Sequence, residues 1–347
     1  MTSPDSCRVY KRQRRDARLS RRVKHLPTED IGEQSTGHNS DFAQRHGLGH
    51  GPRGFPRRAS SFYLSNTVEF RDLHSPPSTL RDFLEGGIYP VSRGCQGILP
   101  ESLRASFATT MLASGPGTCQ YFSSNREDIG HTPSLECVID ILDAAAECNS
   151  KNHAEDSWNS EVHCRILDAA LRPKGERKFS HLPSNASEEY VVEAISTLRE
   201  SLPASAFNHT NYPPLGGRPI VCSIETKRTD GKWKDAKAQL GTLLAAHWGF
   251  LRRLVISQQQ SQQLPDFLPG IIAHGHEWHL LLSTIEGQKI IIWETEVVVS
   301  TRNLQGVYQI ICLLQLLRRW AIDVYWPWLR GSVLLPATSD DDSTTDE

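Results

Sequence analysis

No run of apolar residues in this chain approaches the roughly 18–20 needed to span a bilayer, so no helical membrane segment is expected. No apolar stretch follows the charged N-terminus, which argues against a secretory signal. The eight cysteines form no C-x-x-C pair and no other metal-ligand spacing. In a chain of 347 residues, that scatter argues for reduced, intracellular thiols rather than a disulfide framework. Apolar residues are also scarce, at 38%, against about 45–50% in an ordinary globular chain. Nor is there an excess of charge of either sign: the net value is −2, so whole-chain charge says nothing about partners.

The apolar shortage is uneven. The first 60 residues are rich in Arg, Gly, Ser and His, and Asp340 to Glu347 carry five acids and no base. Such ends bury too little apolar surface to offset the entropy of ordering them. A disordered basic tail is therefore expected over 1–64 and an acidic one over 336–347. Within the first, Arg8, Lys11, Arg12, Arg14, Arg15, Arg18, Arg21, Arg22 and Lys24 are opposed only by Asp16. This cluster suits a nuclear-import signal or a phosphate-binding arm, and a merely soluble tail competes with both. An intracellular chain with a route to the nucleus is the expectation.

Periodicity supplies the rest. Weak helical signals over 65–150 suggest a helical lead-in, strongest at 135–148, where Val138, Ile141, Leu142 and Ala145 recur at helical spacing. A domain over 151–335 then begins with a helix whose stripe is Trp158, Val162, Ile166 and Ala169, stopped by Pro173. A helix over 186–202, a strand over 218–227 and a helix over 236–255 follow. Strand-like runs at 270–276, 278–285 and 289–299 come next, and an amphipathic helix over 307–322 closes the series. Strands interleaved with helices predict an α/β fold, a central mixed sheet with helices on its faces.

Glu225-Thr-Lys227 ends the first of those strands. Residues i and i+2 of a strand share a face, so carboxylate and ammonium stand side by side. Such a pair serves phosphodiester hydrolysis when the carboxylate holds a divalent metal and the lysine stabilises developing charge. The spacing alone decides nothing, because it recurs at Glu176–Lys178, Asp230–Lys232 and Asp235–Lys237. Only the pair at 225 ends an apolar strand that leads into a strong helix. An exposed ion pair is the competing reading. His274 and His276 invite a metal reading, but a strand end with satisfied histidines is favoured. Trp320, Trp326 and Trp328 read as packing aromatics rather than as a base-stacking platform.

Context extends the pattern. Ser223-Ile-Glu-Thr-Lys227, Ala238-Gln-Leu240, the run from Leu268 to Trp278, and Val324-Tyr-Trp-Pro-Trp328 together resemble the fungal PD-(D/E)XK nuclease-like family. Trp158-Asn-Ser-Glu-Val-His163 and Asn208-His-Thr210 belong to the same likeness, which covers roughly 150–335. It implies a restriction-endonuclease-like fold and, ancestrally, cleavage of DNA or RNA with Mg²⁺ or Mn²⁺. On that resemblance Glu225 and Lys227 match the E-x-K half of the motif and Gln239 the glutamine on the following helix. Glu161 matches the first-helix acid that supports the metal with Glu225, though an ordinary first-turn acid is an equal reading. The motif also needs an Asp on the preceding strand. Here no aspartate lies between Asp168 and Asp230, and 172–184 is too polar for a buried strand. Either an exon is missing or the domain is degenerate. The expectation is a nuclease-like protein with impaired hydrolysis. A non-catalytic nucleic-acid-binding or scaffold protein on the same fold is the alternative.

Overall fold

Among the described residues of the computed structural model there are seven strands: β1 (Thr67–Asp72), β2 (Leu99–Pro100), β3 (Phe122–Ser123), β4 (Ser223–Lys227), β5 (Leu268–His274), β6 (Glu277–Glu286) and β7 (Lys289–Ser300). The structure describes residues 67–94, 97–107, 121–172, 188–202, 205, 207–210, 215, 218–257 and 263–334. The expected basic and acidic tails, the stretch 173–187 and the loop residues 211–214, 216 and 217 lie outside them. Everything described belongs to one unit, Arg58–Glu347.

Five strands make a mixed sheet in the order β1-β7-β6-β5-β4, and β2 pairs with β3 separately. The two ends, β1 on β7 and β4 on β5, pair parallel, while β5, β6 and β7 form an antiparallel meander. Each hairpin closes through a two-residue turn led by a glycine with positive φ, +57° at Gly275 and +60° at Gly287. A non-glycine residue is disfavoured there.

Helices cover both faces: α1 (Leu135–Ser150), α2 (Glu155–Trp158), α3 (Cys164–Leu171), α4 (Glu188–Ser201), α5 (Trp233–Ser257) and α6 (Leu304–Trp320). The Ser134 hydroxyl caps α1 by accepting from the Cys137 amide, and the Asn303 side chain caps α6 by accepting from the Gly306 amide at 2.8 Å. α5 covers one face: Leu240 and Leu244 sit against Gly270, and Gly241 lets the helix approach Val68, Phe70 and Ile292. α6 covers the other, with Ile310, Leu313, Leu314 and Leu317 beside Ile271, Leu280 and Val299 around an apolar void of about 20 Å³. Each such side chain, fully buried, contributes roughly 1.5–3 kcal/mol, so these two interfaces hold the sheet.

An α/β fold with a mixed sheet between helices is thus what the chain adopts. Three local expectations change. Residues 65–150 are not purely helical, since β1 joins the main sheet and its Val68 and Phe70 face α5. The strand expected over 218–227 begins only at Ser223. Pro219 has no amide to donate, Asn208 Oδ1 accepts from the Ile220 amide, and the Tyr325 hydroxyl donates to the Ile220 carbonyl, so side chains replace the ladder there. In the first domain helix a π turn, Asn159–His163, joins α2 to α3 and inserts a residue. The stripe therefore shifts phase, and Ala170 rather than Ala169 is buried with Trp158, Val162 and Ile166.

Candidate active site

Glu225 pairs with Ile272 and Lys227 with His274 across the β4–β5 ladder. Both point to the α5 face, and Lys227 Nζ donates to the Glu225 carboxylate in a close ion pair. The side chains are 16% and 15% exposed respectively, so this is an enclosed pair rather than a solvated strand-end contact. β4 is an edge strand: among the described residues no strand flanks it on the side away from β5.

The end of β4 is pinned from three sides. The Gly275 amide in the β5–β6 turn donates to the Lys227 carbonyl at 2.7 Å. His274 Nε2 donates to the Gly231 carbonyl at 2.7 Å, drawing the 228–232 turn onto β5. The Thr229 hydroxyl donates to Asn149 Oδ1 at 3.1 Å, tying that turn to α1. Trp233, opening α5, packs on His279 with ring centres 4.4 Å apart. Around this corner Lys232 and Lys234 are exposed and form no ion pair among the described residues, while Arg228 pairs with Asp230 at 2.6 Å.

The other expected site residues are not brought to this pair. Gln239 is exposed on α5, away from the sheet-facing Ala236 and Leu240, and its side chain makes no hydrogen bond among the described residues. Glu161, in the π turn, forms no ion pair or side-chain hydrogen bond among the described residues; its charge lies near the Cys148 thiol. Burial first, and the carboxylates of Glu161 and Glu147 second, push that thiol up to about 11. The acid that does arrive is Glu155, in the first turn of α2. Its Oε1 accepts from the Thr226 hydroxyl at 3.3 Å, and its Oε2 lies 3.8 Å from Lys227 Nζ. Its position, three residues before Trp158 at the start of the first domain helix, was a usable sequence signal. Lys232, Trp233 and Lys234, a basic run with an aromatic inside it, were another.

The remaining candidates have plain roles. His274 is bonded to Gly231, and His276 Nδ1 pairs with Thr301 Oγ1 at 2.8 Å in the turn beyond β5. Trp320 and Trp326 are buried, and Trp328 Nε1 donates to the Gln263 carbonyl. The described cysteines, Cys137, Cys148, Cys164, Cys222 and Cys312, form no disulfide.

A family model, the PD-(D/E)XK nuclease superfamily, matches this chain over residues 113–190 and 179–326. The chain belongs to that superfamily. No curated protein and no solved structure matches it.

Members of the PD-(D/E)XK superfamily generally use divalent metals. Mg²⁺ and Mn²⁺ need several hard oxygen donors converging on one point. Here the carboxylates of Glu225 and Glu155 are both turned towards Lys227, and Glu161 forms no ion pair among the described residues. No group of three or more His, Cys, Asp or Glu side chains able to hold an ion occurs among the described residues. These residues do not fit a divalent metal. No helix among them is long and apolar enough to cross a membrane.

Proposed function

We propose that this PD-(D/E)XK protein binds nucleic acid at the β4 corner and hydrolyses phosphodiesters poorly or not at all. The observation that carries the reading is the Glu225–Lys227 ion pair on an edge strand, joined only by Glu155 and by no ion-holding group of three or more His, Cys, Asp or Glu side chains among the described residues. In the intact motif Glu225 would hold a metal, Lys227 would meet the charge growing on the phosphate, and Gln239 and Glu161 would support them. What remains on β4 is an ammonium placed to receive a phosphate oxygen, as charge-assisted hydrogen bonds do. Lys232 and Lys234 add exposed positive charge nearby, and Trp233 adds an aromatic face at the same corner. The absence of any aspartate between Asp168 and Asp230 supports the loss of hydrolysis.

DNA or RNA is the partner class. The test is a fluorescence-anisotropy titration of the full chain with labelled DNA and RNA oligonucleotides at several salt concentrations. Binding should weaken with salt, and Lys227→Ala should weaken it by roughly three- to tenfold, the worth of one charge-assisted contact. No salt-dependent binding to any of these oligonucleotides would contradict the reading.

A further inference from the structure

Lys227 stands between two carboxylates that are held in different ways. Glu225 is two residues back on the same strand and 16% exposed, so its carboxylate is enclosed beside Lys227. Glu155 is 41% exposed and is held by a hydroxyl at 3.3 Å and by Lys227 itself at 3.8 Å. It sits in the first turn of a short helix, on an element separate from β4.

We propose that Glu155 is an internal anion that competes with nucleic-acid phosphate for Lys227. The inference rests on the reading that nucleic acid is held at the β4 corner. A phosphate oxygen carries the same sign as a carboxylate and accepts the same ammonium hydrogens. Two such anions repel at the short range that sharing one Lys Nζ demands. With Glu155 in place the trio of Glu155, Glu225 and Lys227 has a negative formal charge; without it the charge is zero. Phosphate therefore binds only as Glu155 swings away. The Thr226 hydroxyl sets the resting position of the gate, since it aims the Glu155 carboxylate at the lysine. Lys232 and Lys234, with no carboxylate paired to them among the described residues, are where the first contacts with the nucleic-acid backbone form.

The experiment uses the full chain, a short fluorescein-labelled single-stranded DNA oligonucleotide and EDTA, with affinities read by anisotropy. Glu155→Gln keeps the shape and removes the charge. It should tighten binding by about two- to fivefold, the range a half-exposed ion pair spans. Thr226→Val should move affinity in the same direction by less, and serves where Glu155→Gln fails to fold by circular dichroism. The deciding comparison repeats Glu155→Gln in a Lys227→Ala background. A general charge effect would survive there, whereas competition for Lys227 predicts that the gain disappears. Unchanged or weaker binding by both Glu155→Gln and Thr226→Val, with Lys227→Ala still weakening it, overturns the gate and leaves the site reading intact. Binding indifferent to Lys227→Ala overturns the site reading and the gate with it.

Discussion

Arg126 is fully buried, and its guanidinium is met by neutral oxygens: the carbonyls of Ile98 and Gly130 at 3.0 and 2.8 Å, and Gln315 Oε1 at 2.7 Å. Gln315 in turn donates to the carbonyls of His131 and Ala170, so one α6 side chain fastens two other segments to the core. Gln315→Ala removes those donors and leaves a buried cation short of an acceptor. It should cost about 2–4 kcal/mol in urea unfolding, against less than about 0.5 kcal/mol for exposed Gln239→Ala. Equal effects would contradict this account. Buried and half-buried histidines set acid sensitivity. Burial holds His163 and His209 down to about 4, and it holds His247, which stacks on His209 at 4.7 Å, well below the usual histidine range. A depressed histidine keeps the folded state neutral while the unfolded chain takes up a proton. The stability is thus complete above about pH 6.5 and is lost as the pH falls towards 4, by about 3 kcal/mol for His163. Melting temperature should drop across that window, and His163→Phe should flatten the drop. A melting temperature independent of pH between 7 and 4 would contradict the assignment.

At the scale of elements, the meander and α5 were legible because their patterns are strong: Ile- and Val-rich strands, a two-residue turn with glycine, and a helix with leucines at helical spacing. What escaped was set by tertiary contacts. Ile220 gives its backbone groups to Asn208 and Tyr325, which no local pattern reveals. β1 is short, and its two apolar residues, Val68 and Phe70, become meaningful only once β7 and α5 lie beside them. The π turn moved the buried stripe by one position, and Glu155, in the turn of helix before it, is the acid that reaches Lys227. Gly275 tests how far the site depends on one such element. Its φ of +57° is costly for any side chain, and an added Cβ would lie 2.9 Å from Thr229 Cα. Gly275→Ala should destabilise the fold by roughly 1–3 kcal/mol and raise hydrogen exchange at the Gly275 amide, which donates to Lys227. Unchanged stability and unchanged exchange would show that the turn does not pin β4.

For the whole molecule, the superfamily was readable in the ordered motifs, while the geometry of the site was not. Which carboxylate meets Lys227 depends on how α2 wraps the edge of β4, a contact between residues 72 positions apart. The basic cluster at 8–24 carries a separate proposal, nuclear entry. Residues 1–30 fused to a fluorescent reporter should concentrate it in the nucleus, and changing Arg12, Arg14 and Arg15 to Ala should disperse it. An evenly distributed parent fusion would contradict that. Sequencing the transcript through codons 172–186 separates a missing exon from a true deletion. The central claim, a nuclease fold whose hydrolytic site has lost its metal partners, meets its most direct test in one assay. The purified full chain is incubated with single- and double-stranded DNA in Mg²⁺ and in Mn²⁺, beside a Glu225→Ala control. Loss of a metal-bound nucleophile removes on the order of a thousandfold in rate or more. The expected result is no cleavage above the control, and metal-dependent turnover by the unaltered chain, abolished by Lys227→Ala, would contradict it.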